Sequence, residues 1–582
     1  MKYSMNFGKL AARTARAKST GKAFRIAVLG DFSGRANAGK LEKGAALAGR
    51  KPWRVDVDNL DSVVQRMGLH LHLPIAANGG TVEVKVGAMD DFHPDQLYQS
   101  VEVFRELDGL RKRLKSTATY PAAAQQMRSW LGTSAMNEPT LPRTKPRGSA
   151  VPHGKLNDFA RLIGLSAASP RATPVDELIQ RIVGPHVVAA PSPEQQSLVA
   201  AVDEALSAAM RRLLHCADFQ SLESLWRSVE LLIRTLETSA QLQIVLYDVT
   251  AEELAADLST SDSLEETGLY SLLVEQPLVD GQLGQLSVLL GNYVFEQIPP
   301  HAELLGRIGK IAAAAQAPFI AGISADCLKR QDPQDVHPLV LESWDALRSM
   351  PHARYLGLTV PRFMLRWPYG AKTEPIDSFD FEEFTPQVGL KGLLWANGSI
   401  LAGLLLGKTF SEQGLTDMRL GSMMTLKDVP FYYYTDSDGD QVALPNTERL
   451  VPESSALRAI SQGLMPILCI RGRSEIRLGS FGSLGGLELA GPWSPLMIEP
   501  DEKLVAEAPP DASERVTPIA DALDATVAAE SEGQSSVVTA ASDQDKTDEL
   551  DTLLSDLSTN EVEPSADGTI IDPDLAELLD NL

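Results

Sequence analysis

The strongest constraint in this sequence is an interruption. Residues 116–174 include a stretch rich in Pro, Ser, Thr, Arg and Gly (EPTLPRTKPRGS at 138–149), the composition of a flexible connector. A short helical patch, Leu156–Leu165, lies inside it. Strand-and-helix patterning precedes and follows this break, and 582 residues are too many for one core. The sequence therefore predicts an α/β (α+β) chain. A small N-terminal α/β domain at 23–115 is joined by the linker 116–174 to a larger mixed α/β domain at 175–498. A basic arm at 1–22 and a disordered acidic tail at 499–582 flank them.

In the first block, Phe24–Leu29 (FRIAVL) is a short apolar run closed by Gly30-Asp31, the pattern of a buried strand and a turn. Thr81–Val86 alternates valines with Glu83 and Lys85, as a half-buried strand does. Asp91-Phe92-His93-Pro94 marks a break with Asp91 or His93 as cap. Gln96–Leu114 then reads as an amphipathic helix through Leu97, Val101, Val103, Phe104, Leu107 and Leu110. In the second block, 194–237 is helical. Gln241–Val249 reads as a strand and Ala251–Leu258 as a helix, opening an α/β pattern that runs to about residue 490.

The net charge of −24 is unevenly placed. Residues 501–582 hold 22 acidic and 3 basic side chains, a net −19, so the remainder carries only −5. Without aromatic residues the tail cannot bury enough apolar area to offset chain entropy, and disorder is expected. The opening segment to Arg25 holds seven Lys/Arg and no acid but lacks the continuous apolar stretch of a secretory signal. No run of 18 apolar residues occurs, so membrane insertion is not expected. Cys216, Cys327 and Cys469 are far apart, which suggests neither a disulfide framework nor a zinc site and fits a reducing cytoplasm.

The motifs point away from catalysis. Gly30-Asp31-Phe32-Ser33-Gly34-Arg35 follows a strand but fits neither phosphate-loop pattern, so it reads as a tight turn. His215-Cys216 are neighbours on a helix and point in different directions, which suits a structural His better than a metal site. Glu382-Glu383 are adjacent, and nothing sets them across a cleft for acid–base work. Phe431–Tyr434 and Gln441–Leu444 flank Asp436-Ser437-Asp438-Gly439-Asp440 as a hairpin with a polar tip. No catalytic, cofactor or metal residues are assigned. In the tail, Leu550, Leu553, Leu554 and Leu557, and again Leu575, Leu578, Leu579 and Leu582, repeat LxxLLxxL. The linker carries a weaker version in Phe159, Leu162 and Ile163. On a helix each makes one apolar stripe suited to a partner's groove.

Longer segments carry a family resemblance. FRIAVLGDFSGR at 24–35, RKPWRVDVDNLDSVV at 50–64 and DDFHPDQLYQSVEVFREL at 90–107 resemble the small sheath subunit of type VI secretion (TssB, or VipA), with Gly30, Asp31 and Phe32 in its signature. LHCADFQSLESLWRSVELLI at 214–233 resembles the large subunit (TssC, or VipB) through Glu223, Trp226 and Arg227. LGLTVPRFMLRWPYG at 356–370 continues that likeness with Pro361, Arg362, Arg366, Pro368 and Tyr369, and LPNTERL and GLMPIL follow in order. The two subunits are ordinarily separate chains; here one polypeptide resembles both.

The resemblance implies a structural subunit rather than an enzyme. It would be a helical homopolymer around an inner tube protein (Hcp-like), in contact with baseplate components, in the cytoplasm. Recognition by a ClpV-like disassembly ATPase would fall on the linker helix, which matches that family's segment poorly. Inter-subunit strand arms are expected at Phe24–Leu29 (Phe24, Ile26, Val28) and around Ile467–Leu478 (Ile467, Ile470, Ile476). An alternative is a sheath-derived adaptor that caps or anchors the assembly and recruits a partner through its tail. Nucleic acid is not an expected partner.

Overall fold

A computed structural model describes residues 5–10, 23–75, 80–130, 195–279, 284–329, 336–436 and 438–494. The linker stripe at 159–163 and the acidic tail with its leucine stripes lie outside them.

Nine strands form the main sheet: β1 (Phe24–Gly30), β2 (Trp53–Val55), β5 (Leu242–Asp248), β6 (Val288–Phe295), β7 (Phe319–Ile323), β8 (Leu356–Val360), β11 (Thr425–Lys427), β14 (Leu464–Cys469) and β15 (Glu475–Leu478). Their order is β11-β15-β14-β8-β7-β6-β1-β5-β2. From β5 across to β14 every neighbour pairs parallel, and antiparallel strands close both ends.

β1 is the decisive strand. It comes from the N-terminal block yet pairs on one side with β5 (Phe24 with Leu242 through Gly30 with Asp248) and on the other with β6 (Ile26 with Val288 through Leu29 with Gly291). The expectation of two blocks with separate cores therefore gives way to one shared sheet. The physical reason is in the strand: FRIAVL is apolar at nearly every position, which suits burial on both faces, and only a central position in a parallel sheet provides that. Phe24, Ile26 and Val28 enter one core with Leu290, Ile400 and Leu404. Ala27 and Leu29 enter the other with Leu254, Leu305 and Phe319.

Among the described residues, the α-helices of seven or more residues pack around the sheet and its additions: α1 (Leu60–Met67), α2 (Pro94–Ser100), α3 (Glu102–Lys115), α4 (Tyr120–Trp130), α5 (Gln195–Leu214), α6 (Ala217–Thr235), α7 (Ala251–Leu258), α8 (Pro299–Ala315), α9 (Pro338–Arg348), α10 (Gly398–Gln413) and α11 (Glu453–Ser461). The single helix expected over 96–114 is broken at Val101, which is extended (φ −82°, ψ 125°). His93 does cap α2, its Nδ1 accepting from the Asp95 amide. The 194–237 block likewise divides at Cys216 (φ −64°, ψ 128°). Thr250 and Glu253 form a reciprocal capping box at the start of α7.

Two hairpins and a short antiparallel pair, β9 (Phe363–Met364) with β10 (Trp395–Ala396), complete the described body. β3 (Leu69–Pro74) and β4 (Thr81–Val86) pair antiparallel with alternating burial, as the valine pattern predicts. β12 (Tyr432–Thr435) and β13 (Gln441–Leu444) form the expected second hairpin, with Tyr432 and Tyr434 against Phe384. Among the described residues no helix is long and apolar enough to cross a membrane.

Candidate functional site

Interest centres on the seam where residues from before the linker meet residues from after it. β1 delivers Gly30-Asp31-Phe32 to the end of β5. A Cβ on Gly30 would stand 2.7 Å from Leu225 Cδ2, so the turn requires glycine to approach α6. The Phe32 amide donates to Asp248 Oδ1 at 2.8 Å and Ser33 Oγ to Asp248 Oδ2 at 2.7 Å. Trp226 Nε1 donates to the Phe32 carbonyl at 3.0 Å, and the two rings meet edge to face at 5.2 Å. The small-block signature and the large-block signature thus touch.

Glu253, fully buried at the start of α7, is the hub of an ionic network across the seam. Arg50 Nη1 donates to Glu253 Oε2 at 2.8 Å and Arg35 Nε to Glu253 Oε1 at 3.2 Å. Glu42 binds both guanidinium groups at 2.9 Å from the solvent side, its side chain 43% exposed. The Gly44 amide donates to Asp257 at 2.6 Å, and Asn37 Nδ2 to Asp218 at 2.7 Å. Burial, then the neighbouring Asp248 charge, pushes the Asp31 carboxyl up to about 7 against the opposing amides of Ala36 and Arg35. Burial also raises Asp248, opposed by Ser33 and Arg50.

A second network lies within the large block. Arg366 Nε donates to Glu223 Oε1 at 2.8 Å, and its Nη1 to Glu383 Oε2 at 2.7 Å. Arg227 Nε donates to Glu223 Oε1 at 2.7 Å, and its Nη2 to the Tyr369 hydroxyl at 3.0 Å. The Arg366 guanidinium stands 4.2 Å from the Tyr369 ring centroid. Burial alone would raise the Glu223 carboxyl; Arg366 and Arg227 outweigh it and hold it below the usual range. The N-terminal block reaches this network too, through the His93 ring edge to face with Tyr369 at 5.0 Å and Asp95 accepting from the Ser378 amide at 2.9 Å. Arg362 pairs separately with Glu448 at 2.6 Å, and Pro361 follows a cis peptide bond. Pro368 accepts from Thr373 Oγ1.

The strand-arm expectation needs correction. β1 is hydrogen-bonded on both edges within its own chain, so Phe24, Ile26 and Val28 have no free edge to offer. β14 lies between β8 and β15, and β15 between β14 and β11, so Ile467 and Ile476 are equally enclosed; Ile470 is buried in the turn after β14. The edges of the main sheet are β2 and β11, three residues each. Short edge strands limit indiscriminate pairing.

The His215 side chain is 5% exposed, with Nε2 4.0 Å from Glu383. Glu382 is exposed while Glu383 is buried on Arg366, so the adjacent carboxylates serve different ends. Among the described residues no group of three or more His, Cys, Asp and Glu is gathered as a metal site would need. Sequence reasoning missed Arg35, Arg50 and Glu253, whose partners lie about 200 positions away. The one available signal was Thr-x-x-Glu at 250–253, which marks the cap but not the arginines.

Comparisons with known proteins match different models to the two parts of the chain. A family model described as "EvpB/VC_A0108, tail sheath N-terminal domain" matches residues 196–484. Another, described as "Type VI secretion system, VipA, VC_A0107 or Hcp2", matches residues 13–143. The type VI secretion system sheath protein TssC1 of Pseudomonas aeruginosa is 32% identical over 289 residues, covering 47% of this chain. The chain spans 58% of the length of that relative.

Proposed function

From the premise that this chain belongs to the type VI secretion sheath family, with a VipA-type and a VipB-type region joined in one polypeptide, we propose that it is a structural subunit of a contractile sheath. Copies would stack by heterologous contacts into a helical tube around an inner tube protein, anchored on baseplate components. Contraction would be a shift of rigid bodies between two packings. A difference of about 1–3 kcal/mol per subunit, the usual size of a coupling energy, adds up along a long array.

One observation carries this reading: β1 of the VipA-type region is a central strand of the sheet that the VipB-type region completes. Such a unit can rotate as a whole without coming apart at the seam. The joints between copies then fall to the free edges β2 and β11, which could each accept a neighbour's strand. Deleting residues 1–29 would remove a core strand and unfold the body rather than loosen a joint.

The acidic tail favours a second reading. Residues 485–582 lie beyond both family matches and carry the LxxLLxxL stripes, as an adaptor that caps an assembly and recruits a partner would. Electron microscopy of the purified chain, alone and with an inner tube protein, separates the two. Long tubes support the sheath subunit, discrete particles the adaptor, and a lone monomer at high concentration contradicts both. Docking of a disassembly ATPase is tested by pull-down with and without residues 156–165; equal capture removes that segment from the account.

A further inference from the structure

The segment Met5–Leu10 sits in a groove between α8 and the loop that follows α7, far along the chain from both. The Lys9 amide donates to the Asp262 carbonyl at 2.5 Å, and the Leu264 amide to the Lys9 carbonyl at 2.9 Å, a single parallel bridge. Lys310 Nζ donates to the Gly8 carbonyl at 2.7 Å. Asn6 Nδ2 donates to Asp262 Oδ1 at 2.7 Å while Asn6 Oδ1 accepts from the Gly8 amide at 3.0 Å. Phe7 lies over Gly306 of α8, where any Cβ would collide with its ring. Gly8 takes φ +67°, a conformation that favours glycine.

The groove is built to exist without its occupant. Arg307, its side chain 4% exposed, donates to the Asn6 carbonyl at 2.9 Å, but also to the Leu258 carbonyl at 2.7 Å and the Ser261 carbonyl at 3.0 Å. Glu303 and Asp262 stand 3.8 and 3.6 Å from its Nη2. Removing the segment therefore takes one of several partners from that buried charge and leaves it compensated. The segment precedes the residues that match the VipA model and contributes Met5, Phe7 and Leu10 as partly buried contacts. These are the features of a bound peptide rather than of an integral strand.

We propose that this groove is a peptide-binding site selective for an Asn-Phe-Gly-Lys pattern turned at its glycine, and that Met5–Leu10 is its ligand in cis, an exchangeable plug. Gly306 sets the aromatic requirement, Gly8 the glycine, and Arg307 with Lys310 reads the two carbonyls between. Under the sheath reading, on which only this clause rests, a seated plug keeps the groove closed on the free subunit.

The test uses the full chain with a protease recognition sequence introduced within residues 11–22, and a fluorescent peptide of residues 1–12 as probe. Tethered, the plug is at an effective concentration on the order of mM, so the uncut chain should take up micromolar probe at least ~10-fold less than the cut chain. The cut chain should bind it saturably. A probe with Phe7→Ala should bind at least ~10-fold more weakly, the loss expected when a packed aromatic is truncated. No uptake after cutting, equal uptake by cut and uncut chains, or no loss with Phe7→Ala overturns the proposal. Gly306→Val in the cut chain should abolish uptake while circular dichroism remains unchanged; undiminished uptake places the probe elsewhere and overturns it too. Tube formation by the uncut chain is scored separately by microscopy, so failure of the plug and failure of the sheath reading are told apart.

Discussion

Two buried ionic networks hold this body together, and they differ in what they join. The Glu253 network takes its arginines from before the linker and its carboxylate from after it, with Glu42 open to solvent. The Glu223–Arg366–Glu383 network takes its ion pairs from the large block and is closed in that both its carboxylates are buried, with two arginines facing them. In the second, a charge is balanced wherever it is buried, and Glu223 is held ionised. At the seam, burial and then the Asp248 charge push Asp31 up, and burial raises Asp248 as well. The closed network fixes the packing of the large block; the open one makes the seam responsive to pH.

The largest effect should come from the closed network. Arg366→Met leaves Glu383 without its guanidinium partner and Glu223 with Arg227 alone, and loss of one partner of a buried pair costs roughly 3–5 kcal/mol. Chemical denaturation should show it, and Arg366→Lys should recover little because an ammonium cannot serve both carboxylates as the guanidinium fork does. A loss below about 1 kcal/mol, the level of an exposed pair, would remove the distinction between the networks. Glu253→Gln should cost less, roughly 2–4 kcal/mol, since Glu42 still holds Arg35 and Arg50. Equal losses at Arg366 and Glu253 would show that the solvent-side carboxylate contributes nothing.

The pH response sharpens the contrast further. The folded-state pKa of Asp31, about 7, lies above the ordinary aspartate value near 4. Between about pH 4 and 7 the folded protein keeps this proton while the unfolded chain releases it, so the stability from this group declines as pH rises and is flat above. Glu223 behaves oppositely: its contribution is full at neutral pH and is lost as pH falls below the ordinary glutamate value and through its lowered pKa. Denaturation midpoints at pH 5 and 7.5 should differ in favour of pH 5, and Asp31→Asn should reduce that difference to the share left by Asp248; an undiminished difference would assign the titration elsewhere. The smallest effect is expected at Glu42→Gln, within about 1 kcal/mol and weakened by salt, as for a solvent-side pair. A larger, salt-independent loss would mean that the seam network is as closed as the other.

Much of the local structure was legible in the sequence. The β4 alternation, the Gly30–Arg35 turn, the α7 helix and the Tyr-rich hairpin all follow from periodicity and turn chemistry, which act over a few residues. The place of β1 was not read, although its signal was present: a run apolar at every position except Arg25 asks for burial on both faces. The break at Val101 was hidden because its valine continues the apolar stripe while its backbone leaves the helix. The seam was illegible for a different reason. Arg35 and Arg50 look like ordinary surface arginines until the fold brings Glu253 beneath them, and no local pattern encodes a partner some 200 residues away.

The central claim is that the VipA-type and VipB-type regions form one cooperative body through β1. Native-state hydrogen exchange tests it most directly. The account predicts that the Ile26–Leu29 amides exchange with those of β5 and β6 in the slowest class, and only through global unfolding. Exchange of β1 well ahead of its neighbours, or a separate unfolding transition for residues 23–115, would contradict it.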